Sequence, residues 1–328
     1  MGDRKNVEES RFLKLAKPAL KELLNILLEK YEYASVLAVD SEAKIYSVSA
    51  SGINLGDFGM LCNRGFVVKT YSDGEYAEYS FNKLENDVKK QAESIVEEIE
   101  KLKKAVPDCV EKIKLAKLND EPVSFAKSTQ YEISPFTLGA QAIVDKLSAL
   151  RQKGIDSDER ILDCGTRLSC RKYSKLFLSE NKDMEQNIMI TDCAMSFAAR
   201  KDSEVKSYFT SASNLGGAEV LDKLESSMEH SVEMTIALLD SEPITPGEYD
   251  CICTPEVTGM IVHEAFGHGV EMDMFAKKRA LAEEYVGEYV ASPLINMHDG
   301  AAAADEVASY FFDDDGVEAE DTLIIENG

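Results

Sequence analysis

The chain has 328 residues, enough for two domains that each bury a core. Its formal net charge of −24 repels phosphate backbones, so nucleic-acid binding would need a local basic patch. The two candidates, KLKKAV at 101–106 and Lys277-Lys278, are short and lie among glutamates, as a solvated helix face does.

The first residues, MGDRKNVEES, carry no apolar segment behind their charges and do not read as a signal peptide. Asn6 stands where a myristoylation signal wants Ser or Thr. Residues 8–31, EESRFLKLAKPALKELLNILLEKY, have the leucine spacing of an amphipathic helix, with Pro18 predicting a kink or a late start. Four short alternating runs follow, ASVLAVD, KIYSVSAS, RGFVVKTYSDG and EYAEYSF, the last two joined at Ser72-Asp73-Gly74. A charged helix is expected over 83–105 and a proline-bearing connector over 106–135. A further helix covers 136–154 and ends at Gly154. Two long β-like segments, 159–178 and 185–209, suggest an antiparallel pair of arms. Gly216-Gly217 then precedes a helix running to about Leu239. EPITPGEYD, 242–250, reads as the boundary between an N-terminal domain of 1–241 and a C-terminal one of 242–328. Beyond it, YDCICTP reads as a buried strand, and a helix opens behind Thr254 as N-cap and Pro255 as first residue. No apolar run approaches about 18 residues, which argues against a membrane span. The seven cysteines are scattered without a CxxC, a pattern of reduced thiols in a cytoplasmic protein.

The chemistry concentrates in VHEAFGHGVE, 262–271, which holds two of the four histidines. A zincin HExxH sets its histidines four residues apart; His263 and His268 are five apart. In a regular α-helix that step turns the second side chain away by about 140°. A π-turn would return both rings to one face, since its hydrogen bonds run from i to i+5. Gly267 and Gly269 flank His268 and ease such a rearrangement. The alternative reading is a structural histidine pair on an apolar helix. Glu264 weighs against it, because the preceding GMIV would bury a carboxylate that must then be used or paired.

VHEAFGHGVEMD resembles the HExxxH segment of the TldD/PmbA family of zinc metallopeptidases, historically labelled modulators of DNA gyrase, and is closer to the TldD-like subunit. EPITPGEYDCICTPEVTGMIVHEAFGHGVEMD follows the family's order of segments, SYFFDDDGVEAEDTLIIENG resembles its FDDEG and LIENG segments, and RGFVVKTYSDGEYAEYSFN resembles its N-terminal strand pair. The resemblance implies an α+β fold: an N-terminal domain of mixed sheet and helix, then a largely antiparallel β C-terminal domain that carries the motif helix. It implies Zn2+ as cofactor, His263 and His268 as ligands, and Glu264 as the general base that takes a proton from the attacking water. A third ligand, a cysteine, would lie downstream of the IENG segment, so the C-terminal domain reads as incomplete at Gly328.

Glu271 and Asp273 are candidates to orient the histidines from behind. His298 reads as a turn residue, Cys251 and Cys253 as small core thiols, and Asp313, Asp314 and Asp315 as a tight acidic turn rather than a calcium loop. The expected function is a zinc-dependent peptidase acting on small or unstructured peptides. It would work as a homodimer or as a heterodimer with a paralogous subunit lacking the metal motif. The competing reading is an inactive or regulatory relative that binds a peptide or partner subunit.

Overall fold

The structure is a computed structural model that describes residues 3–56, 63–105 and 122–328. It divides into two compact units, Met1–Ser241 with Asp305–Glu318, and Glu242–Ala304 with Ala319–Gly328.

The first unit opens with β1 (Lys5–Asn6) and α1 (Arg11–Leu28). Ser10 caps α1, its hydroxyl accepting the Leu13 N–H at 3.2 Å. Pro18 neither delays the start nor ends the helix. Leu13, Ala16, Leu20, Leu23, Leu24 and Leu27 are all buried along one stripe, and each buried leucine is worth about 1.5–3 kcal/mol. That burial outweighs the one backbone hydrogen bond that a proline removes.

Next come β2 (Tyr33–Ser49), β3 (Gly52–Gly56), β4 (Arg64–Ser72), β5 (Glu75–Phe81) and α2 (Val88–Ala105). The β4–β5 turn has positive φ at Asp73 and Gly74, the left-handed pair that a tight hairpin needs. ASVLAVD and KIYSVSAS, expected as two strands, form the single strand β2. Pairing decides this: a later strand, β8, ladders with β2 from Ser35 to Val48, straight through its polar middle.

The connector over 106–135 has structure in its described part, with β6 (Val123–Ser128) and β7 (Gln130–Tyr131); residues 106–121 lie outside the described residues. The helix expected at 136–154 is split at Gly139, φ 89°, into α3 (Pro135–Leu138) and α4 (Ala140–Ile155). The two expected arms are three strands, β8 (Ile161–Ser179), β9 (Lys182–Lys201) and β10 (Glu204–Leu215). Asp202, at φ 53°, turns the chain between β9 and β10. The helix after Gly216-Gly217 is likewise two, α5 (Val220–Ser226) and α6 (Met228–Leu239).

The sheet runs β10-β9-β8-β2-β4-β5 with antiparallel neighbours; β3 adds to β2, and β6 lies parallel on β9. Strand parity sorts its faces. Ala34, Val36, Ala38, Phe66, Val68, Leu176 and Leu178 pack against α1 and α2. Further along the same face, Leu168, Cys193, Met195 and Phe197 pack against α4, α5 and α6. Leu37 and Phe177, one residue out of phase, point to the opposite face and bury Phe312 with Met184. Phe312 lies in 305–318, which a simple cut at 241/242 would assign to the C-terminal domain. Its packing on the sheet places that segment with the first unit.

The second unit contains α7 (Pro255–Val262), α8 (Met272–Ala276) and the antiparallel ribbon β11 (Met297–Asp299) with β12 (Thr322–Ile325). The antiparallel character expected of this region resides in that ribbon. YDCICTP is not a strand: residues 248–254 are exposed and, among the described residues, no strand pairs with them. Without a ladder partner the alternation of apolar residues has nothing to hold it extended, so Cys251 and Cys253 are exposed rather than core. Gly259, Met260 and Ile261 of GMIV are exposed too, with Met260 at 69%, so the run does not bury Glu264. No helix among the described residues is long and apolar enough to cross a membrane.

Candidate metal centre

Pro255 starts α7 at its first turn, and Thr254 takes the extended N-cap conformation without a side-chain hydrogen bond. The helix stays regular until His263, whose N–H bonds to the Gly259 and Met260 carbonyls. Over His263–Gly267 it widens into a π-turn, and the His268 N–H reaches back five residues to the His263 carbonyl. The conflict between spacing and helix geometry is thereby resolved in favour of the spacing. Gly267 and Gly269 take part without left-handed backbone, since neither has positive φ. A Cβ at Gly269 would meet open space, so glycine contributes weak helix propensity here rather than steric room.

The rings of His263 and His268 come together with centroids 4.5 Å apart and an interplanar angle of 67°. His268 Nε2 lies 4.0 Å from Glu264 Oε2. One ligand atom from each of His263, Glu264 and His268 falls within 4.8 Å of the other two. All three residues are solvent-exposed. Two imidazoles are donors that zinc takes in catalytic sites, and a carboxylate beside them is placed to accept a proton, so the set fits that ion.

The neighbours sort themselves by partner. Glu271 Oε1 sits 2.8 Å from His268 Nδ1, and this contact raises the His268 pKa from its ordinary value, with a smaller push from Glu264. Asp273, the other expected orienting residue, turns away to Lys277 at 2.6 Å. His298 is not a turn residue; it lies on β11 with Nδ1 2.8 Å from Asp321 Oδ1. Asp321 escapes a reading of the sequence because 23 residues separate it from its partner. Cys251 and Cys253 are not in the three-residue cluster. In the first unit, Asp313 Oδ1 accepts the N–H groups of Asp315 and Val317 at 2.9 Å, which makes the triple-aspartate stretch a turn rather than an ion loop.

Residues 246–328 match the profile of the PmbA/TldA metallopeptidase C-terminal domain. This stretch is thus similar to the C-terminal domain of the PmbA/TldD family. A metalloprotease of Methanocaldococcus jannaschii is 27% identical over 173 residues, covering 52% of this chain and 38% of that protein. A zinc metalloprotease TldD homolog of Saccharolobus solfataricus is 36% identical over 85 residues, 25% of this chain and 18% of that one. The chain thus spans well under half the length of these curated relatives. A crystal structure from Thermotoga maritima, described as a modulator of a DNA gyrase, superposes with a TM-score of 0.73 at 17% identity, covering 95% of this chain and 69% of that one. That likeness establishes a shared PmbA/TldD-type fold, mixed α and β with antiparallel sheets.

Proposed function

We propose that the chain carries the metal-binding half-site of a zinc-dependent peptidase of the PmbA/TldD family. The observation that supports this most directly is the convergence of His263 and His268 through the π-turn, with Glu264 beside them. The relatives' names point the same way: two are metalloproteases, one of them zinc-dependent. His263 and His268 would hold the ion, and a zinc there would supply Lewis acidity to a scissile carbonyl. Glu264 takes the proton of the attacking water and returns it to the leaving amine. Exposure of all three groups leaves them open to an incoming peptide backbone. A cleft of about 580 Å3 in the same unit, lined by Phe266, Val270, Phe275, Tyr285, Tyr289 and Leu323, offers apolar walls to peptide side chains. Association with a second copy or with a subunit lacking the motif belongs to this same proposal.

Two experiments test it. Zinc should bind at one equivalent per chain and be lost in His268→Ala. Glu264→Gln should keep the metal while hydrolysis of an unstructured peptide falls by about 10²–10⁴-fold. A Glu264→Gln protein that cleaves at the wild-type rate would remove the carboxylate from the mechanism. The second reading, a peptide-binding relative without hydrolysis, draws on the presence of only two imidazoles in the cluster. Stoichiometric zinc with no turnover of any peptide would favour it.

A further inference from the structure

The two histidines are not equivalent. Among the described residues, the His268 ring has a carboxylate on its Nδ1, while the His263 ring has no hydrogen-bond partner. We propose that Glu271 is a positioning residue that sets His268 for metal by holding the proton on Nδ1 and leaving the Nε2 lone pair free. This rests on the metal reading above.

The chemistry of the pair assigns the tautomer. An ionised carboxylate can only accept a hydrogen bond, so a neutral imidazole whose Nδ1 lies 2.8 Å from Glu271 Oε1 carries its proton on Nδ1. Nε2, 4.0 Å from Glu264 Oε2, is then the unprotonated nitrogen that a cation requires. The backbone explains why Glu271 reaches the ring. The 3-10 turn His268–Val270 ends as Glu271 becomes extended, φ −63° and ψ 126°, at the N-cap of α8. Its carbonyl accepts the Met274 and Phe275 N–H groups, and its side chain makes no cap hydrogen bond. The carboxylate is therefore free to turn back three residues. Asp273, two residues on, is taken by Lys277 and cannot replace it. Ligating histidines commonly donate their second nitrogen to a carboxylate in this way, and loss of such a partner typically costs 10–100-fold in metal affinity.

The test has two parts, each with circular dichroism to confirm the fold. In metal-free protein at a pH above the raised His268 pKa, nitrogen-15 NMR should show His268 protonated on Nδ1, and the Nδ1–H form should fall in Glu271→Ala. Cobalt titration should give about 10–100-fold weaker binding in Glu271→Ala, partial recovery in Glu271→Gln, whose amide oxygen still accepts the N–H, and no change in Asp273→Ala. An Nε2–H tautomer in wild type, or equal cobalt affinity in Glu271→Ala, overturns the proposal. A wild-type chain with the Nδ1–H tautomer but no affinity for cobalt or zinc leaves the clamp in place and defeats the metal reading instead.

Discussion

At the scale of single residues, the environment of each cysteine sets its reactivity. Burial pushes the thiols of Cys164, Cys170 and Cys193 up to about 12, so each is a neutral, packed group at any ordinary pH. Cys251 and Cys253 are exposed. Brief maleimide treatment at neutral pH, read by peptide mapping, should label Cys251 and Cys253 and leave the three buried thiols until the protein unfolds. Labelling of Cys193 at the same rate as Cys251 would contradict the packing. The cluster of His263, Glu264 and His268 was legible because residue type and spacing are read directly from the sequence. The choice between Glu271 and Asp273 was not legible. It depends on where a short helix starts and on Lys277 being one turn away.

At the scale of elements, turns carry constraints that periodicity cannot express. Gly316 has φ 72°, and a Cβ there would overlap the ring of Phe177, which is buried in the sheet. The turn that holds it also presents Asp314 and Asp315 to Lys175 and Lys69. Gly316→Ala should destabilise the chain by about 2–4 kcal/mol, from left-handed backbone strain plus overpacking. Gly259→Ala, whose Cβ meets nothing within 4 Å, is the matched control and should be neutral or slightly stabilising. Urea unfolding midpoints of the two variants check this. The long strands show the complementary limit of sequence reading. Alternation located β4 and β5 and their turn, but β2 looked like two strands because its unity rests on β8, which pairs with it continuously through the polar middle.

At the scale of the whole molecule, chain order and packing order differ. Residues 242–250 are exposed and without regular structure, which makes them a natural site of proteolytic cleavage. A cut there should nevertheless not release the C-terminal fragment. Within it, Phe312 packs on Phe177 and Met184, and Gln186 donates to the Phe312 carbonyl at 3.0 Å while accepting the Phe311 N–H at 2.8 Å. The two fragments should co-elute on native gel filtration and part in denaturant; separation under native conditions would show that the 305–318 contacts are weak.

The sequence by itself determined the α+β class, through a family resemblance, and the composition of the His263, Glu264 and His268 cluster with its need for a π-turn, because residue type, order and spacing are local properties. Tertiary structure alone decided that residues 242–328 split between two units, that the CICT stretch finds no strand partner among the described residues, and which carboxylate serves His268. Those outcomes depend on which distant backbone or side chain competes for each group, and a linear pattern does not record that competition.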